Sequence, residues 1–204
     1  MKRSTCMLLL WALPTAAILA ANVPTAKKIA DLADTEAKTG GQFRVIRLEG
    51  EDADSDLSPR QWDVTVYDII RGNHATTIRF KDGLAVSTTG AVRVFDDAHW
   101  TQFGRNFTGY DPAEIIQLAR WKLDSTDVLA RIATLPGMDK VQITDVKMAL
   151  RKLSDGDVPP VWHVKVKVRS KLKPGREGWI GVVELSAETG EVIQTTLRPE
   201  RLTD

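Results

Sequence analysis

The sequence predicts an α+β chain of two tandem units, each with one or more helices packed on an antiparallel sheet of three to four strands. Three observations predict it. "WDVTV" from Trp62 and "WHVKV" from Trp162 stand one hundred residues apart, each with a proline three positions earlier (Pro59, Pro159). Each is followed, at the same distance, by Thr-Gly-x-Val (Thr89 to Val92, Thr189 to Val192). In both halves the apolar period passes from about 3.6 to 2, the change from helix to strand. Identity elsewhere at that offset is low, so the weight rests on matches that fall together on one strand and one turn.

The first residues read as a leader over 1–26. Lys2 and Arg3 precede an apolar run from Cys6 to Ala20 that Pro14 interrupts. A secretory signal peptide has this layout, and a membrane span needs about 20 apolar residues. Ile18 or Leu19 stands where a small residue is preferred before the cut, so an uncleaved amino-terminal anchor is the alternative. Cys6 is the only cysteine. Loss of the leader leaves a thiol-free chain that cannot form a disulfide, compatible with an oxidising compartment.

The first unit is expected over 27–98. "KKIADLADTEAKTGG" places Ile29, Ala30 and Ala33 at helical spacing and ends on Gly40-Gly41. "FRVIRLEG" is a strand whose Phe43, Ile46 and Leu48 answer to Ile143, Val146 and Met148. "EDADSDLSP" is an acidic loop, "QWDVTVYDII" a second strand, and "HATTIRFKDGLAVS" a third with a bulge at Asp82-Gly83. "TTG" is expected to turn the chain into "AVRVF".

Residues 99–123 read as an aromatic linker plus a helix. Trp100, Phe103, Phe107 and Tyr110 interleave with Gly104 and Gly109. "DPAE" at 111–114 has an N-cap aspartate, a proline at the first helical position and an early glutamate. Ile115, Ile116, Ala119 and Leu123 then recur at helical spacing.

The second unit is expected over 124–204. "DSTD" restarts a helix carrying Val128, Leu129, Ile132 and Leu135, which Pro136-Gly137 stops. "VQITDVKMALRKL" is a strand ending in the turn-forming "SDGD". "VWHVKVKVRSK" alternates without a fault, Trp162, Val164, Val166 and Val168 to one face and His163, Lys165, Lys167 and Arg169 to the other. "KPGREG" turns the chain, "WIGVVELS" returns, "AETG" turns again and "EVIQTTL" closes. Two stacked units make physical sense, because about 75 residues without disulfide or metal bury little surface and leave sheet edges open.

The final hairpin "VVELSAETGEVI" (Val182 to Ile193) resembles the PepSY domain of exported bacterial proteins. Thr189, Gly190, Glu191 and Val192 match the family's Thr-Gly-Glu-Val turn; Ser186 stands where the family has aspartate. The likeness covers residues 125–196, and more weakly 27–95, where Ala91 replaces the glutamate. It implies a cystatin-like layout, a helix on a curved antiparallel sheet. Two such units in tandem resemble the arrangement of β-lactamase-inhibitory-type proteins. The motif is a turn, so it marks a fold rather than an activity.

Composition excludes several classes. With 43% hydrophobic and 27% charged residues the chain is not of disordered type. A net charge of +1 gives no electrostatic case for nucleic acid. His74, His99 and His163 are the only histidines and lie far apart, so no metal motif exists, and Asp96-Asp97-x-His99 reads as solvated polar residues. No G-x-S-x-G, mature thiol or phosphate loop is present. The run Glu49, Glu51, Asp52, Asp54, Asp56 lacks the glycine and terminal glutamate of a calcium loop. No cofactor is expected.

The candidate binding residues are His163, Lys165, Lys167, Arg169 and Lys171, whose charges recur about every 7 Å along one strand face. Such a stripe either discourages edge aggregation or docks an acidic protein, glycan or lipid headgroup. The matching face of the first unit, Asp63, Thr65 and Tyr67, is not basic. The aromatic stretch, Trp100, Phe103, Phe107 and Tyr110, either plugs the junction or forms a recognition loop; Asn106-Phe107-Thr108 fits a sequon. The expected function is an exported, periplasmic or extracellular, non-catalytic protein that recognises another envelope or secreted protein through a sheet face, as an inhibitor or chaperone-like module. Membrane contact is expected only through a retained leader. The alternatives are a small-molecule or glycan binder, and an enzyme with dispersed residues.

Overall fold

All eight strands join in one open antiparallel sheet. The computed structural model describes residues 24–37, 43–53, 57–68, 74–93, 114–152 and 158–204. The strands are β1 (Phe43–Ala53), β2 (Pro59–Asp68), β3 (His74–Lys81), β4 (Leu84–Arg93), β5 (Val141–Arg151), β6 (Val161–Ser170), β7 (Glu177–Ser186) and β8 (Val192–Thr195). They lie in the order β4-β3-β2-β1-β5-β6-β7-β8. The expectation of two cystatin-like units, each with its own curved sheet of three to four strands, is therefore corrected. The reason is the seam: Arg47–Gly50 of β1 pairs with Met148–Arg151 of β5, so the edge each meander would have left open is closed by the other. Among the described residues helix is limited to α1 (Ala26–Ala37), α2 (Ser125–Ala133) and a few single turns.

Register gives the seam an approximate twofold axis. Leu48 faces Val64 and Gly50 faces Trp62; one hundred residues on, Met148 faces Val164 and Leu150 faces Trp162. Across the seam, Leu48 pairs with Leu150 and Gly50 with Met148, two pairs that exchange under the axis. Glu49 pairs with Ala149, its own counterpart, so the axis passes between them.

The hundred-residue offset ends after β2 and β6. Trp62 pairs with Phe80, 18 residues on, whereas Trp162 pairs with Leu185, 23 residues on. Thr89-Gly90 consequently lies inside β4, Thr89 opposite Thr77, and not in a turn. Thr189-Gly190 does lie in the β7–β8 turn. The structural counterpart of that turn is Asp82-Gly83, expected as a bulge but found as a two-residue hairpin loop with φ of 51° and 80°. Positive φ at both positions is what a type I′ turn requires, and Asp-Gly is among its preferred pairs.

One face of the sheet is covered. Ile29, Ala30 and Ala33 of α1 and Val128, Leu129 and Ile132 of α2 join Leu48, Trp62, Val64, Met148, Leu150, Trp162 and Val164 in one buried core. The Asp124 side chain holds both helix starts. It accepts from Ser125 N at 2.7 Å in a capping box with Asp127, and from Lys27 N at 3.1 Å. Ser125 Oγ meanwhile accepts from Ala26 N at 3.2 Å.

The expected helix over 111–123 does not form in its described part. Leu118–Arg120 makes a 3₁₀ turn, Glu114 is in 3₁₀ conformation, and no α-helical residue occurs over 114–123. The segment spends its backbone donors across the fold: Ile116 N to Val45 O at 2.8 Å, and Lys122 N and Leu123 N to Ala187 O at 2.9 and 2.8 Å. Those amides are thereby satisfied without an i→i−4 ladder.

Candidate binding face

The opposite face of the sheet carries the charged residues. β1 presents Arg47, Glu49 and Glu51; β5 presents Lys147, Ala149 and Arg151; β6 presents His163, Lys165, Lys167 and Arg169. Period-2 alternation makes this inevitable once Leu48, Met148, Leu150, Trp162 and Val164 are buried. At the centre lies an open groove of about 460 Å³ spanning β2, β1, β5 and β6, with Arg47, Glu51, Gln61, Asp63, Lys147 and Arg151 among its walls.

Most of these charges are paired. Arg47 contacts Glu49. Glu51 accepts from Lys147 at 3.1 Å and from Gln61 at 2.9 Å, and that carboxylate raises the Lys147 ammonium above its ordinary pKa. Arg79 grips Asp63 with two bonds of 2.7 and 2.6 Å, a fork that raises the guanidinium further. His163 Nδ1 lies 2.9 Å from Glu184, and Arg151 lies 3.5 Å from the same carboxylate oxygen.

His163, Lys165, Lys167 and Arg169 of the predicted stripe lie on one face of β6, and β7 neutralises part of it. Glu177 takes Lys167 and Arg169, each at 2.8 Å, and these donors hold its carboxyl below the ordinary range. Lys165 instead lies 4.9 Å from the Trp179 ring centre, the distance of a cation–π contact, and has no carboxylate partner among the described residues. Lys171 lies beyond β6 and donates to Asp139 O at 2.9 Å. Of the first-half candidates, Asp63 lines the groove. Thr65 and Tyr67 are buried instead: Thr65 faces Thr77 Oγ1 at 3.0 Å, and Tyr67 packs with Ile46, Ala75 and Ile115. Trp100, Phe103, Phe107 and Tyr110 lie outside the described residues, as does the leader through residue 23.

Arg47, Ala149, Arg151, Glu184 and Trp179 were not singled out from the sequence, and Glu49 entered only in the acidic run set aside as a calcium loop. Their alternation was readable. Which strands would meet at the seam was not.

No helix among the described residues is long and apolar enough to cross a membrane. No three His, Cys, Asp or Glu side chains among them converge on a metal-sized site. No protein-family model matches the chain, and neither a curated protein nor a solved structure matches it.

Proposed function

We propose that this chain is an exported, non-catalytic binding protein that recognises an acidic envelope or secreted protein through the charged, open part of its sheet. The observation that carries this is the asymmetry of the two faces. One is sealed by α1, α2 and the core, and the other holds the charged central groove. Ion pairs across neighbouring strands hold the groove's side chains in place before any partner arrives, which lowers the cost of ordering them on binding. The acidic character of the partner follows from Lys165, which lacks a carboxylate, and from Arg151, whose carboxylate is distant and shared. Export rests on the composition of the leader, and kinship with PepSY domains on the Thr189-Gly190-Glu191-Val192 turn within residues 125–196.

The test is site-specific photocrosslinking in an envelope extract. A probe at Gln61 or Lys167, on the open face, should give one discrete adduct that weakens with added salt. A probe at the exposed Asp31 or Arg131, on the helices, should give none. Equal labelling from both faces, or none from the open face, defeats the proposal.

The groove's size supports a second reading. About 460 Å³ lies within the roughly 300–1,000 Å³ range of small-molecule sites. A thermal-shift screen separates the two, since a ligand at 100 times its dissociation constant adds about 2.7 kcal/mol.

A further inference from the structure

The twofold axis sets Glu49 and Ala149 directly opposite each other. Around Glu49 stand Arg47 and Glu51 along β1 and Asp63 across on β2. Around Ala149 stand Lys147 and Arg151 along β5 and His163 across on β6. Lys165, opposite Lys147, and Arg47, opposite Arg151, complete the surround. A methyl group thus occupies the place where the axis would put a carboxylate, inside a ring of basic side chains.

Two further observations mark the ring as incomplete. Arg47 and Arg151 are like charges directly opposite across the seam, an arrangement that is destabilising without an anion. The Nε atoms of both guanidiniums are enclosed and have no hydrogen-bond partner among the described residues. The axis relates this arginine pair to Glu51 and Lys147, which pair directly with each other across the seam, whereas Arg47 draws on Glu49 and Arg151 on a Glu184 oxygen at 3.5 Å that His163 shares. Each neighbouring carboxylate is already held, Glu49 by Arg47, Glu51 by Lys147, Asp63 by Arg79 and Glu184 by His163 and Arg151, which leaves Lys165 without one among the described residues.

We propose that the space over Ala149 is a subsite for one carboxylate of a bound ligand, which enters where the axis would repeat Glu49 and completes the ring of Arg47, Lys147, Arg151, His163 and Lys165. The inference rests on the open face being a binding surface, and it names the chemistry recognised there. A carboxylate fits better than a phosphate because the equivalent place in the first half accommodates the carboxylate side chain of Glu49.

The experiment titrates glutarate, a triglutamate peptide and inorganic phosphate into the isotope-labelled full chain and follows amide shifts. The expected result is a saturable change centred on Ala149, Arg151 and His163, with both carboxylate probes binding tighter than phosphate. Tighter binding of the peptide assigns the carboxylate to a protein side chain; tighter binding of glutarate assigns it to a free acid. Ala149→Glu supplies the carboxylate internally and should abolish binding while raising Tm. Arg151→Gln should weaken binding at least tenfold, and Arg131→Gln, exposed on α2 behind the sheet, should leave it unchanged. No saturable shift with either carboxylate, or undiminished binding by both Ala149→Glu and Arg151→Gln, overturns the subsite. Crosslinks from Gln61 that survive Ala149→Glu overturn it while sparing the binding face. Glutarate binding without any crosslink spares the subsite and removes the protein partner.

Discussion

Trp62 and Trp162 occupy equivalent registers on β2 and β6, yet donate their indole N–H groups to different carbonyls, Pro59 O at 2.9 Å and Leu123 O at 3.0 Å. The residue across the strand decides which. Trp62 faces Gly50, and a Cβ there would lie 2.8 Å from its ring and 2.9 Å from Pro59 Cβ. Trp162 faces Leu150 and instead meets Trp121 edge-on at 6.2 Å. Gly50→Ala is therefore expected to destabilise the chain by about 1–3 kcal/mol through overpacking, measured by urea unfolding. Unchanged stability would show that the indole has room to swing.

Asp124 caps two helices from one carboxylate. Asp124→Ala should cost about 2 kcal/mol, the upper end for an N-cap, and should speed amide exchange at both Lys27 and Ser125. Acceleration at Ser125 alone would show that the bond to Lys27 is incidental.

Glu188, in the β7–β8 turn, anchors the segment before α2. Arg120 donates to it at 3.0 and 2.9 Å and Lys122 lies at 3.1 Å, and these donors, Arg120 first, hold its carboxyl below the ordinary 4.5. Glu177 is lowered likewise by Lys167 and then Arg169. A lowered folded pKa means that the stabilisation is complete above the ordinary value and is lost as pH falls through the folded one. Tm should accordingly drop as pH falls below about 4.5, and Glu188→Gln should flatten that acid limb, as read by calorimetry across pH 2–6. An identical limb in the variant would place the acid sensitivity elsewhere.

The Asp82-Gly83 turn sets the register of β3 with β4. Gly83→Ala forces an L-residue into a left-handed conformation at about 1–2 kcal/mol, whereas Asp82→Asn keeps a residue that tolerates it. The Asp82 bond to Arg60, 2.6 Å and solvent-exposed, should matter little by comparison. Thermal melts of the two variants should separate clearly; a larger loss in Asp82→Asn would make the ion pair the dominant element.

The alternation in "WHVKVKV" placed β6 and its buried face, and "DSTD" placed the start of α2, because period and capping are local. "TTG" was misplaced because its match to Thr189-Gly190 assumed that the hundred-residue offset continues. The register shows that the offset is lost between β2–β3 and β6–β7. The helical spacing of Ile115, Ile116, Ala119 and Leu123 misled for a related reason: period is a local preference, and Ile116, Lys122 and Leu123 found backbone acceptors across the fold instead.

By itself the sequence determined where β1, β2, β5, β6 and β7 run and which side of β6 is apolar, since those follow from spacing along the chain. Only the tertiary structure decided that β1 and β5 meet, and with them the joining of all eight strands and the setting of Glu49 against Ala149. That pairing links residues one hundred positions apart through backbone hydrogen bonds, which any two extended edges can make and which leave no mark on side-chain periodicity.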